Sequence, residues 1–184
     1  MARIPYFDPA SAEGRLKETI DKLPNLNIFR MMGHSGDMLA KFTGLGNQIL
    51  GRSDLEPVLR EIAIVRVGVL SKATYEVYQH ERISRQIGMS EGLIQAIHEG
   101  PRASAFDEMQ ALVMAYTDDI VLNVRASDAT FNPLSKKLSY KEMQELTLTI
   151  GYYMMVSRFL ETFDVDIEEE GQSDGVNMKD LERK

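Results

Sequence analysis

The 184-residue chain contains no cysteine. Disulfides, thiolate metal sites and every cysteine-based nucleophile or redox couple are thereby excluded. Histidine is nearly as scarce: there are three, at positions 34, 80 and 98. Their wide spacing argues against a histidine-rich metal site, and no metal is expected. Long apolar runs are also missing. The longest, Ile62 to Leu70, is interrupted by Arg66 and falls well short of the roughly 18–20 residues that cross a bilayer. The opening Met-Ala-Arg-Ile-Pro-Tyr-Phe-Asp-Pro lacks the hydrophobic core of a signal peptide, so a cytoplasmic location is expected. Nor is there a surplus of basic residues. The formal net charge is −7, and an acidic surface repels phosphate backbones, which argues against a nucleic-acid partner.

The residues that are present describe an ordinary globular domain. Hydrophobic residues make up 43% and charged residues 27% of the chain, enough apolar material for one core. Their spacing is helical almost throughout. Leu16, Ile20 and Leu23 predict a helix over about residues 11–23, stopped by Pro24. A short turn of helix follows at Ile28–Met32. Ser35 is placed to cap a helix whose stripe is Met38, Leu39, Phe42, Leu45 and Ile49. A central helix starts at Pro57 and runs to about Ser71, apolar on nearly every face and therefore buried. Its β-branched density also suits a strand, but its length and helical neighbours favour helix.

Further helices are expected over about 75–87, ended by Gly88; from the Ser90 cap to His98; over 107–122; and over 128–138, interrupted at Pro133. Ser139-Tyr140-Lys141-Glu142 is a capping box that opens the last long helix, to about Phe163. No strand pattern is strong enough to build a sheet. The fold expected is a single-domain all-α bundle of about seven to nine helices over residues 1–165. Residues 166–184 are acidic and polar, the composition of a solvated tail, unless they rest on the body or on a neighbouring subunit.

Three polar residues carry the chemical interest. Glu76 and His80 are four apart and share one helix face. A carboxylate beside an imidazole is a general acid/base unit, although the same pair also occurs as a minor contact on exposed helices. Glu61 lies in a run so apolar that its charge needs a partner. That partner is either Arg60 or Arg66 in a structural ion pair, or Glu61 faces a pocket shared with Glu76 and His80. Arg66 and Arg158 are the other internal charges. Each is a candidate fork for an anionic substrate or a member of a structural ion pair. Tyr75, Tyr78, Tyr152 and Tyr153 read as core or interface residues, and His34 and His98 as structural. The eleven methionines suit an adaptable core or an interface between subunits.

The pattern Arg60-Glu61-x14-Glu76-x3-His80, followed by Gly88 and Ser90, resembles the carboxymuconolactone decarboxylase family. Ile4-Pro5-Tyr6, Leu26-Asn27-Ile28-Phe29-Arg30 and the segment Glu145 to Tyr153 extend the resemblance over roughly residues 1–165. It implies an alkylhydroperoxidase D-like helical fold and assembly as a homo-oligomer (dimer, trimer or hexamer). In the peroxidase branch a Cys-x2-Cys pair precedes the histidine. Aligned through His80, those cysteines fall on Ala73 and Glu76, and the relay carboxylate on Glu61.

The decarboxylase branch needs no thiol. There the resemblance implies a lyase that removes carbon dioxide from a small carboxylated lactone or related acid, without metal or organic cofactor. His80 would donate or shuttle the proton, Glu76 would orient it and Glu61 would complete the relay. Arg66 or Arg158 would anchor the substrate. Hydration or isomerisation of a different small acid uses the same parts. A non-catalytic oligomeric small-ligand binding protein is the alternative, and a peroxidase-type antioxidant protein ranks last without a thiol.

Overall fold

The computed structural model describes residues 1–182. Ten α-helices follow one another: α1 (Gly14–Ile20), α2 (Asn27–Met32), α3 (Met38–Arg52), α4 (Pro57–Ser71), α5 (Thr74–Gln86), α6 (Glu91–Glu99), α7 (Glu108–Asn123), α8 (Asp128–Leu134), α9 (Tyr140–Phe163) and α10 (Met178–Glu182). Short 3-10 turns occupy Pro9–Ser11 and Gly33–Ser35. The fold is all-α, with no strand among the described residues.

Helix α4 is the hub, packed by α5, α6, α7 and α9. Pro57 supplies the first-turn residue that has no N–H to leave unpaired, and the Glu56 carboxylate accepts from the N–H groups of Val58 and Leu59. Every residue from Leu59 to Gly68 is buried. That encirclement explains a sequence apolar on all faces, which periodicity alone does not separate from a buried strand. The helix ends at Lys72 in the left-handed region, φ 56°, and the chain turns directly into α5.

Close packing of α5 on α4 depends on Gly68. A Cβ there would stand 3.0 Å from Val77 Cγ2 and 3.6 Å from Glu76 Cβ. Gly68 lies seven residues after Glu61, two helical turns along the same face. The glycine thus brings the Glu61 face of α4 within reach of α5.

The cap readings at Ser90 and Ser139 match the structure. Ser90 accepts from Leu93 N–H, and Ser139 and Glu142 form the reciprocal capping box. Elsewhere the chain differs from its periodicity. The first helix begins only at Gly14, because the Asp8 side chain caps a 3-10 turn ahead of it. Asp37 rather than Ser35 precedes α3, and the Ser35 hydroxyl donates to Met32 O at 2.7 Å. Pro133 is carried inside α8, which ends one residue later at Leu134.

The C-terminal segment is not solvated along its length. After α9 it folds back over the body, with Val165 and Met178 buried. Asp166 holds the N-terminus through Met1 N (3.0 Å), Ala2 N–H (3.0 Å) and the Tyr6 hydroxyl (3.2 Å). The chain then runs along α5, and α10 packs on α3.

Candidate active site

Glu61 is fully buried on α4. Its Oε2 accepts from His80 Nδ1 at 2.7 Å, and its Oε1 accepts from Arg60 Nε at 3.2 Å. Of the two sequence readings of this carboxylate, the ion pair with Arg60 is present, whereas the second oxygen is taken by His80 rather than facing a pocket. Arg60 is itself buried, and its Nη2 has no hydrogen-bond partner among the described residues.

One turn of α5 brings Glu76 to the other side of the imidazole. Glu76 Oε1 lies 3.2 Å from His80 Nε2, within ion-pair distance. The contact is off the line a hydrogen bond needs, so Oε1 stays buried without a partner. The edge of the Tyr153 ring meets His80, with centroids 4.7 Å apart and planes at 81°. The Tyr152 hydroxyl donates to Phe42 O at 3.0 Å, an approach that leaves no room for a Cβ at Gly46.

Burial pushes the Glu76 carboxyl up to about 7; His80 opposes that rise and Glu61 adds to it. Burial alone would lower the His80 imidazole. The charges of Glu61 and Glu76 outweigh it, so His80 titrates above its ordinary 6.5. Both groups are thus raised and face each other, so they titrate as a coupled pair. Burial, with Glu76 adding to it, drives the Tyr152 and Tyr153 hydroxyls far above their usual range. Neither tyrosine loses its proton at neutral pH.

Glu76 and His80 form the polar end of a cavity of about 150 Å³. Its walls are aromatic and aliphatic, with Ile28, Phe29, Phe42, Leu50, Tyr75 and Val156 among them. Gln79, Asn47, Thr43 and Lys22 add further polar lining, and the segment after α9 contributes Val176 and Leu181. Glu61 stands behind His80, outside the lining.

Glu61, Glu76 and His80 are therefore brought together, whereas Arg66 and Arg158 are not. Arg66 faces the opposite side of α4. It grips Asp118 of α7 with two bonds, Nε to Oδ1 at 2.6 Å and Nη2 to Oδ2 at 2.8 Å, and donates from Nη1 to Ile97 O at 3.0 Å. Arg158 is exposed on α9 and donates to its own helix at Met154 O. Neither lines the cavity, so the substrate-anchoring role expected for them has no geometric basis. Lys22, whose sequence surroundings give no sign of it, is the cation that does line it. Among the described residues no group of three or more His, Asp or Glu is placed to hold a metal ion.

Residues 36–119 match the model of the Carboxymuconolactone decarboxylase family, a span that contains Glu61, Glu76 and His80. No curated protein matches the chain. Solved structures share the fold at low identity. An uncharacterized peroxidase-related protein from Ralstonia eutropha with an alkylhydroperoxidase AhpD core has TM-score 0.73 at 18% identity, over 92% of this chain and 93% of that one. An uncharacterized peroxidase-related protein from Silicibacter sp. has TM-score 0.72 at 19% identity, over 85% and 82%. A variant of the debrominase Bmp8 in complex with 2,3,4-tribromopyrrole has TM-score 0.70 at 18% identity, over 83% and 81%. Over residues 36–119 the chain is similar to the carboxymuconolactone decarboxylase family, and its helical architecture is the AhpD-like fold that these structures share.

Proposed function

We propose that this protein is a thiol-independent enzyme that transfers a proton to or from carbon in a small compound with an apolar body. The observation that carries this reading is the clamped imidazole at the cavity wall. One ring nitrogen faces Glu61 at 2.7 Å and the other faces Glu76 at 3.2 Å. With Nδ1 held by Glu61 and Nε2 turned toward Glu76, His80 is placed to relay a proton to the carboxyl that faces the substrate, that of Glu76. Glu61 fixes the ring orientation and favours the protonated imidazole.

Decarboxylation of a small carboxylated lactone or related acid is a reaction of this kind. The bond to the carboxylate breaks and carbon dioxide leaves. The electron pair passes into the conjugated system, and the carbon that receives it takes the proton of Glu76. His80 then returns a proton to Glu76. An acid that titrates at about 7 is matched to such work at neutral pH. Lys22 is the cation available to a substrate carboxylate. The debrominase of the same fold is seen with 2,3,4-tribromopyrrole, and a small ring of that class suits the aromatic and aliphatic walls here.

The test is turnover of carboxymuconolactone and a panel of related lactones and ring acids, read as carbon dioxide release and deuterium uptake from solvent. Glu76→Gln and His80→Ala should each lower kcat by about 10²- to 10⁴-fold. A substrate turned over equally well by both variants overturns the relay. Binding of panel members without any turnover would instead point to a small-ligand binding protein.

A further inference from the structure

The segment after α9 lies along one stripe of α5. Tyr75, Gln79, Arg82 and Gln86, spaced by four, three and four residues, all bond to it. The Tyr75 hydroxyl donates to Glu168 Oε1 at 2.5 Å, and Gln79 Nε2 donates to Glu168 Oε2 at 2.5 Å. Arg82 donates to Asp174 O at 2.8 Å, and Gln86 donates to Val176 O at 3.1 Å. This stripe adjoins the one that carries Glu76 and His80. Glu168 also accepts from Asn27 N–H at 2.7 Å, which ties the segment to the start of α2. Beyond this anchor, Val176 and Leu181 enter the cavity lining. Leu181 also packs against Gly51 of α3, where a Cβ would stand 2.9 Å from its carbonyl oxygen.

We propose that residues 166–182 are the specificity-determining outer wall of the substrate cavity. Val176 and Leu181 set the size of apolar ligand admitted, and Glu168 is the positioning residue that clamps them in place. The inference rests on the reading of the Glu76–His80 cavity as the substrate site. Glu168 uses both oxygens on three donors from two helices, a fixed point from which the chain runs to Val176 and to the helix α10 packed on α3. Removing a wall side chain enlarges a small apolar cavity, and apolar pockets discriminate ligands chiefly through such volume differences. A dry apolar cavity of roughly 150 Å³ accepts benzene, so benzene and the larger indole are suitable probes.

Benzene and indole are titrated into the full chain while the His80 ring resonances are followed by NMR. In the wild type benzene should shift them. If it does not, the cavity is not a ligand site, and both the substrate-site reading and this inference fall. Leu181→Ala and Val176→Ala should raise the indole-to-benzene affinity ratio by about tenfold. An unchanged ratio, with benzene still shifting His80, overturns the wall alone.

The clamp is tested separately. Glu168→Lys removes the acceptor of the Asn27 N–H, the Tyr75 hydroxyl and the Gln79 amide, and should speed amide hydrogen exchange across residues 166–182 by about tenfold or more. Adding Gln79→Glu restores a donor–acceptor pair and should restore slow exchange, which a nonspecific loss of packing would not do. Unchanged exchange in Glu168→Lys, or no recovery in the double variant, overturns the role of Glu168.

Discussion

At the scale of single residues, the histidine owes its behaviour to two carboxylates from different helices. Glu61 reaches Nδ1 from α4, and Glu76 faces Nε2 from within α5. Burial opposes a charged imidazole, and these carboxylates reverse that effect. Glu61→Gln removes the nearer one. In that variant His80, followed by NMR, should titrate below its ordinary 6.5, whereas in the wild type it titrates above. The same change strands the buried Arg60 guanidinium, whose Nε bonds Glu61 at 3.2 Å, and should cost about 3–5 kcal/mol of folding stability in urea titrations. Of this constellation, the Glu76–His80 pair is legible in the sequence because four residues on a helix define one face. Which carboxylate takes which nitrogen is not, since it depends on the approach of α4.

At the scale of elements, α4 divides the ionic groups between its two sides. Glu61 looks toward α5 and the cavity, while Arg66 looks toward α7 and closes a fork on Asp118. Sequence treats these two charges alike, because both interrupt one apolar run. Their roles separate only when the neighbouring helices are in place. Arg66→Ala should therefore lower stability by about 2–4 kcal/mol, discounted from the fully buried case because Asp118 retains some solvent contact. Turnover and benzene affinity should stay at the wild-type level. A selective loss of turnover with intact stability would restore Arg66 to the site. The long helices themselves are readable from spacing and caps, with Pro57–Ser71 and the Ser139 capping box as the clearest cases. The N-terminal region is less so, since short turns there are set by side-chain caps and tertiary contacts.

For the whole molecule, the buried pair couples folding to pH. Glu76 binds its proton more tightly folded, at about 7, than in the unfolded chain, near 4.5. A carboxyl shifted upward stabilises the fold below its unfolded value, and this stabilisation is lost as pH rises through the folded value. His80, also raised, acts in the same direction. Stability relative to Glu76→Gln should fall between about pH 4.5 and 7, by on the order of 3 kcal/mol. Thermal melts of both proteins across that range check the slope. A difference that rises with pH contradicts the assignment.

Composition and periodicity alone determine a cysteine-free, all-helical domain in which Glu76 and His80 share a face and Glu61 sits in the core. These are local properties, fixed by what one helix turn places together and by what an apolar environment demands of a charge. The tertiary structure decides the rest. It joins Glu61 to His80 across two helices, directs Arg66 and Arg158 away from the cavity, and lays an acidic C-terminal segment against α5. That last feature has no local signal, because Glu168 acquires its meaning only from Tyr75, Gln79 and Asn27, which lie 93, 89 and 141 residues away in the chain.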